Sequence, residues 1–156
     1  MKAKLISGQT RKTWAVVFQT GDEVMAGLTQ FAKEHNLRNS HFTAIGAFSD
    51  ATIAYFEWQK KEYKRIPVHE QVEVLTLAGD IALKDGQPKV HMHVVLGRED
   101  GTTRGGHLME GYVRPTLEVM LTEMPEPLRR RYDPESGLAL IDPDAGGEGR
   151  KPEEIP

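Results

Sequence analysis

Two Asp-Gly pairs, Asp85-Gly86 and Asp100-Gly101, constrain the fold of this chain more than any other feature of its sequence. Asp-Gly adopts the positive φ angles of tight turns with little strain, so it favours hairpins when apolar segments flank it. Between the two pairs lie residues 90–96, which are rich in β-branched and aliphatic side chains. The sequence therefore predicts a strand over residues 90–96 with a tight turn before it and another after it.

Strands also dominate the rest of the pattern. The run Leu117, Val119 and Leu121 alternates with Glu118 and Thr122, which is typical of a strand with one buried face. Short apolar or aromatic segments, interrupted by polar residues, predict further strands at residues 14–19, 41–48, 52–58 and 72–81, with a turn near Ser49-Asp50.

One helix is predicted after the first of these strands. The residues from Thr20 to Glu23 have the Thr-x-x-Glu form of a capping box, and Asn36 is a suitable end because it tolerates the left-handed conformation. Apolar side chains recur at helical spacing between them, at Val24, Leu28, Phe31 and Ala32. The expected fold class is α+β, a compact single domain with a mainly antiparallel sheet packed with one main helix.

The chain divides into a predicted domain and a predicted tail. Its 156 residues are enough to bury a core, and we expect the domain to occupy residues 1–141. Residues 142–156 are mostly Pro, Gly, Asp, Glu and Lys, so we expect a disordered tail. The N-terminus lacks the apolar run of a signal peptide, and no apolar segment approaches the ~20 residues of a membrane span. We therefore expect a soluble, cytoplasmic protein without a membrane partner.

Histidines form the sharpest chemical signal. The chain has no cysteine, so a metal site must use His, Asp or Glu. His91 and His93 lie two residues apart in a predicted strand, so their side chains share one face. His107 follows the second turn, directly after two glycines that permit close approach of another backbone.

The type of the second turn decides where His107 lies. If residues 99–101 form a three-residue loop with Gly101 in the left-handed conformation, Arg98 pairs with Thr102 and His93 stands opposite His107. Opposed Cβ atoms are about 4.5–5.5 Å apart, close enough for imidazoles to share one ion. A two-residue loop would instead place His107 on the opposite face.

Three histidines suit a divalent metal, with zinc (Zn²⁺) favoured, and leave a coordination position open for water or a substrate. Such a metal could polarise a carbonyl or activate water, with Glu73 or Asp80 as the candidate catalytic base. Glu110 is a further candidate for a nearby carboxylate. The alternative interpretation is a polar sheet face whose histidines are held only by hydrogen bonds. The remaining histidines, His35, His41 and His69, are expected to be structural.

Charge disfavours nucleic acid as a partner. The formal net charge is −3, whereas nucleic-acid-binding domains are usually basic. Two local patches could still contribute, one at Lys60, Lys61, Lys64 and Arg65 and the other at residues 129–131. We interpret both as solvated surface. The sequence also contains no nucleophile elbow, phosphate-binding loop or dinucleotide fingerprint.

Several stretches between residues 14 and 140 resemble a known family, the plants and prokaryotes conserved (PPC) domain, in its stand-alone prokaryotic form. The pairing of His-x-His with Gly-Gly-His is the most specific of these motifs. The stretches that carry the resemblance are Ala44-Ile45-Gly46-Ala47, residues 73–81, residues 90–94, Asp100-Gly101, Gly105-Gly106-His107-Leu108, Val113 and residues 116–119.

The resemblance implies a homotrimer of compact α+β domains with a metal site at His91, His93 and His107. Plant members join this domain to an AT-hook that binds DNA, and no Arg-Gly-Arg-Pro segment occurs here. Three hypotheses follow. The chain is a metal-binding protein with a small-molecule pocket, a DNA-binding or transcription-associated protein, or a non-catalytic homotrimeric interaction module.

Overall fold

The computed structural model describes residues 2–7 and 11–145, with side chains described for residues 11–145. Over these residues the chain forms nine strands and one helix. In chain order they are β1 (Lys2–Ser7), β2 (Thr13–Gln19), α1 (Val24–Glu34), β3 (Asn39–Glu57), β4 (Glu62–Val68), β5 (Val72–Lys84), β6 (Gln87–Gly97), β7 (Thr103–Glu123), β8 (Arg129–Asp133) and β9 (Leu138–Asp142).

The strands form one sheet in the order β1-β2-β7-β3-β5-β8-β9, with β4 paired to β3. Strand β6 pairs with both β5 and β7, so β7, β3, β5 and β6 close a circuit. Among the described strands the pairing is antiparallel, apart from one parallel pair that joins Leu83 of β5 to Arg129 of β8. The predicted mainly antiparallel sheet is confirmed. The α+β description fits only loosely, because the single helix has 11 residues.

The core lies inside this circuit and under α1. Alternate residues of β6, among them Met92, Val94 and Leu96, are buried, while the residues between them face outward. Helix α1 packs against β6 and β7. Its buried stripe consists of the four predicted residues, Val24, Leu28, Phe31 and Ala32.

The start of α1 differs from the prediction. Thr20 does not cap the helix, because its hydroxyl donates to the carbonyl of Pro115 at 3.3 Å. The N-cap is Glu23, whose carboxylate accepts the backbone N–H groups of Met25 (3.0 Å) and Ala26 (2.6 Å). The helix ends as predicted, with Asn36 in the left-handed conformation at φ 50°.

The turn predicted near Ser49-Asp50 is wrong. Strand β3 runs without a break through this segment, because the long strand β7 offers it partners, including Tyr112 opposite Asp50 and Gly111 opposite Ala51. In place of the turn, the β3–β7 ladder has shifts of register, one of them between Phe48 and Asp50. The strands β1, β4, β8 and β9 were not predicted.

The described part of the chain ends at Ala145, after β9 closes at Asp142. Of the predicted tail, residues 146–156 lie outside the described residues. Within the described part, the structure contains no helix with the length and apolarity needed to cross a membrane.

Candidate metal centre

The loop between β6 and β7 takes the three-residue form that the sequence predicts. The Arg98 N–H donates to the carbonyl of Thr102, and the Gly101 N–H donates to the carbonyl of Arg98, both at 2.9 Å. Gly101 has φ 79°, which a side chain would strain. The Asp100 carboxylate accepts from the Thr102 N–H at 2.9 Å and from its hydroxyl at 2.6 Å. The predicted turn type is therefore confirmed.

This turn sets the register that brings the histidines together. His93 stands opposite His107, and His91 lies two residues further along the same outward face. The ring centroids are 5.1 Å apart for His91–His93 and for His91–His107, and 5.4 Å apart for His93–His107. One ring nitrogen from each histidine lies within 4.8 Å of the other two. We call these three residues the histidine triad.

Gly106 lets β7 fit between β6 and β3 just before the triad. His107 pairs with His93 on one side and with Ala54 of β3 on the other. A Cβ atom on Gly106 would lie 2.7 Å from the carbonyl oxygen of Ala54, which is too close for two atoms that are not bonded. The backbone of β3 or β7 would have to move to make room for it. The glycine is therefore required by close approach of two strands.

Asp80 supports the triad from the neighbouring strand. It stands opposite His91 in the β5–β6 ladder, and its Oδ2 lies 3.5 Å from His91 Nδ1. Its Oδ1 accepts a hydrogen bond from Arg130 Nη2, and the Arg130 side chain is only 7% exposed. Burial acts to raise the pKa of Asp80, but the polar contact with His91 and the charge of Arg130 outweigh it, so the pKa is lowered. The carboxylate is ionised and can fix the tautomer of His91.

His107 is the most enclosed ligand candidate. Its ring stacks on Tyr63, with centroids 4.8 Å apart, and its Nδ1 is buried without a hydrogen-bond partner among the described residues. Burial, and then the nearby charges of His91, His93 and Lys89, lower the pKa of His107 to about 4. Burial and then His91 also lower the pKa of His93. Both rings are therefore neutral at pH 7, the form that binds metals.

The donor set fits a divalent metal. Nitrogens bound at 2.0–2.1 Å to one tetrahedral zinc ion lie about 3.4 Å from one another. The observed spread of up to 4.8 Å is wider, so the three rings must draw closer to hold one ion. The unpartnered Nδ1 of His107 further supports the fit, because a buried imidazole nitrogen without a partner is costly.

The other predicted carboxylates do not join the triad. Glu73 pairs with Gly97 and comes five residues before Ala78, the β5 residue that stands opposite His93. That separation is about 16 Å at the usual rise of a strand. Glu110 forms an ion pair with Arg65 at 2.7 Å. The structure therefore brings only Asp80 to the histidines.

The remaining histidines lie elsewhere. His69 Nδ1 lies 2.7 Å from Asp50 Oδ2, and the His35 ring contacts Trp14 with centroids 4.4 Å apart. His41 is exposed on β3. None of them belongs to the triad.

A pocket of about 460 Å³ adjoins the triad and has His91 and His107 in its wall. Sequence reasoning assigned no other residue of this wall to the site, and Tyr63 and Arg130 are among those it missed. From the sequence, residues 129–131 are interpreted as solvated surface. The assignment of β8 as a strand is what places Arg130 on the face opposite to Arg129 and Arg131. No local signal marked Tyr63.

Comparison with known proteins places the chain in a family context. The family model of the Plants and Prokaryotes Conserved (PCC, also written PPC) domain matches residues 5–125. Among solved structures, a PPC protein from Pyrococcus horikoshii is 36% identical, with a TM-score of 0.79 over 90% of this chain and 94% of that one. A metal-containing protein from Archaeoglobus fulgidus is 32% identical, with a TM-score of 0.77 over 90% of this chain and 98% of that one.

Two further comparisons bear on function. A candidate DNA-binding protein from Bacteroides thetaiotaomicron is 25% identical, with a TM-score of 0.81 over 90% of this chain and 96% of that one. A curated relative, the bifunctional protein GlmU of Synechococcus, is 31% identical over 120 residues, which are 75% of this chain. The chain spans about a fifth of the length of the curated relatives it matches, 18% and 20% for the two GlmU proteins.

Proposed function

Because the chain belongs to the Plants and Prokaryotes Conserved domain family, we propose that it binds a divalent metal, zinc in preference, through His91, His93 and His107. The observation that carries this proposal is the convergence of three ring nitrogens within 4.8 Å beside a pocket. The metal-containing relative from Archaeoglobus fulgidus supports the same assignment. When bound, such an ion supplies a Lewis acid with coordination positions free for a ligand.

The residues around the triad orient it. Asp80 Oδ2 lies 3.5 Å from His91 Nδ1, and a carboxylate on Nδ1 would leave Nε2 of that ring to face an ion. Arg130 holds Asp80 in place through its guanidinium, and Tyr63 limits rotation of the His107 ring by stacking on it. Because its pKa is lowered, Asp80 is a poor proton acceptor at neutral pH. We therefore assign Asp80 a positioning role and no role as a base.

The pocket supports a small molecule as the ligand. Its volume of about 460 Å³ lies within the range of known small-molecule sites, about 300–1,000 Å³. His91 and His107 are part of its wall, so a molecule in the pocket has direct access to the metal position. Metal and ligand would therefore share one site.

Metal analysis of untagged protein, purified after growth with added zinc, tests this proposal. We expect about one zinc per chain in the wild type and a large loss in His91→Ala, His93→Ala and His107→Ala. His69→Ala is the matched control, because this exposed histidine lies outside the triad and its loss should change nothing. A wild-type content below about 0.2 per chain, unchanged in His91→Ala, would refute the proposal.

DNA binding is the second candidate, and the relative from Bacteroides thetaiotaomicron supports it. The first basic patch is partly neutralised, since Lys60 pairs with Glu57 at 2.8 Å and Arg65 with Glu110 at 2.7 Å. A fluorescence polarisation titration with duplex DNA separates the candidates, because phosphate contacts give an affinity that falls steeply with salt. Absence of binding even at low salt would eliminate this candidate.

Self-association is a further part of the proposal. We propose a homotrimer in the cytoplasm, on the basis of the family to which the chain belongs. Large apolar side chains that are exposed on adjoining strands, at Ile45, Leu75, Val95 and Met120, support an interface between copies. If the protein is only an interaction module, His93→Ala will leave its partner contacts intact.

A further inference from the structure

We infer that the pocket beside the histidine triad binds small organic carboxylates, which Arg130, Lys84 and Lys89 recognise together. The inference names the ligand class of the proposed site, and it rests on the proposed function for the role of that site. Three observations carry it: the excess of positive charge in the pocket, an unpartnered donor on Arg130, and the apolar walls.

The hairpin of β5 and β6 places positive charge beside the histidines. Alternation along β6 puts Lys89 on the face of His91, and alternation along β5 puts Lys84 on the face of Asp80. Both lysines and Arg130 line the pocket. Asp80 pairs with Arg130, but among the described residues no Asp or Glu lines the pocket itself. The charges of Lys84 and Lys89 are therefore not balanced by any acidic side chain among the described residues of the pocket wall.

Arg130 lines the pocket and carries one donor without a hydrogen-bond partner among the described residues. Its Nη2 donates to Asp80, and its Nη1 donates to the carbonyl of Ala139 at 3.3 Å. Its Nε is buried and has no hydrogen-bond partner among the described residues, and the side chain is more than nine-tenths buried. A buried guanidinium N–H without an acceptor is costly, and a carboxylate oxygen is the acceptor that a guanidinium binds best.

The rest of the wall is apolar. Helix α1, β7 and β9 contribute apolar side chains to the wall: Met25, Leu108, Leu138 and Leu140. Such walls favour a hydrocarbon body over a second charged or hydroxylated group. The ligand class is therefore a carboxylic acid with a short apolar body, and inorganic phosphate fits less well.

Binding of a matched pair of probes tests this inference. The probes are 4-methylpentanoate and its neutral amide, titrated into ¹⁵N-labelled full-length protein with the backbone amides around Lys89 and Leu138 as reporters. We expect the carboxylate to bind about tenfold more tightly than the amide. Lys84→Gln and Lys89→Gln should each weaken the carboxylate about threefold and leave the amide unchanged. Lys33→Gln is the matched control, because it removes an exposed lysine of α1 outside the pocket.

Arg130→Lys keeps a cation beside Asp80 while it removes the guanidinium Nε donor. We expect it to weaken the carboxylate at least as much as either lysine variant, and the NMR spectrum reports whether the variant is folded. Equal affinity for acid and amide, or equal effects of Lys89→Gln and Lys33→Gln, would overturn the inference.

The titration is run on chelator-treated and on zinc-loaded protein, so that the two proposals can fail separately. In one outcome, the carboxylate binds only to zinc-loaded protein, and Lys84→Gln and Lys89→Gln leave its affinity unchanged. The acid would then be only a metal ligand. That result overturns the inference and leaves the proposed metal site standing. Lysine-dependent binding in protein that takes up no zinc supports the inference and rejects the metal site.

Discussion

Asp80 illustrates how the surroundings of one residue decide its role. By composition alone it is equivalent to Glu73, and either could serve as a base near three histidines. The structure places Asp80 between His91 and the buried guanidinium of Arg130, and this environment keeps its pKa low. A carboxylate so held orients a ligand better than it accepts a proton.

Replacing Asp80 tests its positioning role. Asp80→Asn keeps the shape of the side chain but loses the charge that holds His91, so we expect zinc affinity to fall by about 10–100-fold. Competition with a fluorescent chelator measures the change, and Glu73→Gln is the control, because Glu73 lies far from the triad. Similar zinc affinities in both variants would contradict the role assigned to Asp80.

The low pKa of His107 predicts a pH dependence in the metal-free protein. The folded-state pKa is about 4 and the ordinary value is 6.5, so the unfolded chain binds more protons between these values. Stability should therefore fall as pH drops from 6.5 to 4. Denaturant unfolding across this range, in the presence of a chelator, should show a smaller decline in His107→Gln than in wild type or in His69→Gln. An NMR titration midpoint of His107 near 6.5 would disprove the shift.

At the scale of elements, β7 determines the geometry of the site. Its first part pairs with β6 through the 98–102 loop and with β3 at His107, and its last part pairs with β2 and β3. The loop sets the register, and Gly106 permits the close approach of β3. The triad therefore depends on backbone features that carry no functional group.

Gly106→Ala tests this dependence. The new Cβ would meet the Ala54 carbonyl, so β7 must move directly beside His107, and we expect a loss of about 1–3 kcal/mol in stability together with weaker zinc binding. Gly101→Ala is the comparison. It has no contact within 4 Å and only an unfavourable φ, so it should lower the melting temperature and leave zinc affinity intact. Unchanged zinc affinity in Gly106→Ala would show that β7 is not constrained at this point.

Features fixed by residues close together in the sequence were predicted, whereas features fixed by residues far apart in the sequence were missed. The 98–102 loop and the opposition of His93 and His107 were predicted, because a short turn fixes them. The cap of α1 was missed, because Glu23 also accepts the N–H of Gly111, which is 88 residues away along the chain. Arg130 was missed for the same reason, since its burial depends on β5 and β9 and on no local periodicity.

At the scale of the whole molecule, exposed apolar side chains lie on the outward face of the closed circuit. Ile45 of β3 stands opposite Glu118, next to Met120 of β7, and Val95 of β6 stands opposite Thr76 of β5. A face of this kind is costly in water unless another copy covers it.

Light scattering of the purified protein tests the proposed trimer. We expect a mass of three chains for wild type and a shift toward single chains in Met120→Lys, because a buried lysine would disfavour the interface. Tyr55→Lys is the control. Tyr55 is also a large exposed side chain, but it lies near the C-terminal end of β3, ten residues after Ile45. A wild-type mass of one chain would rule out the assembly.

The three imidazoles come from the β6–β7 hairpin, which also forms part of the pocket wall, whereas the rest of the wall comes from α1, β4, β5, β8 and β9. Part of the pocket wall is thus encoded in stretches of the polypeptide that contribute no histidine to the triad. Substitutions in β9 can change which molecules enter the pocket while the histidine hairpin keeps its sequence. If the proposed metal site holds, engineers can alter ligand selectivity without rebuilding the histidine triad.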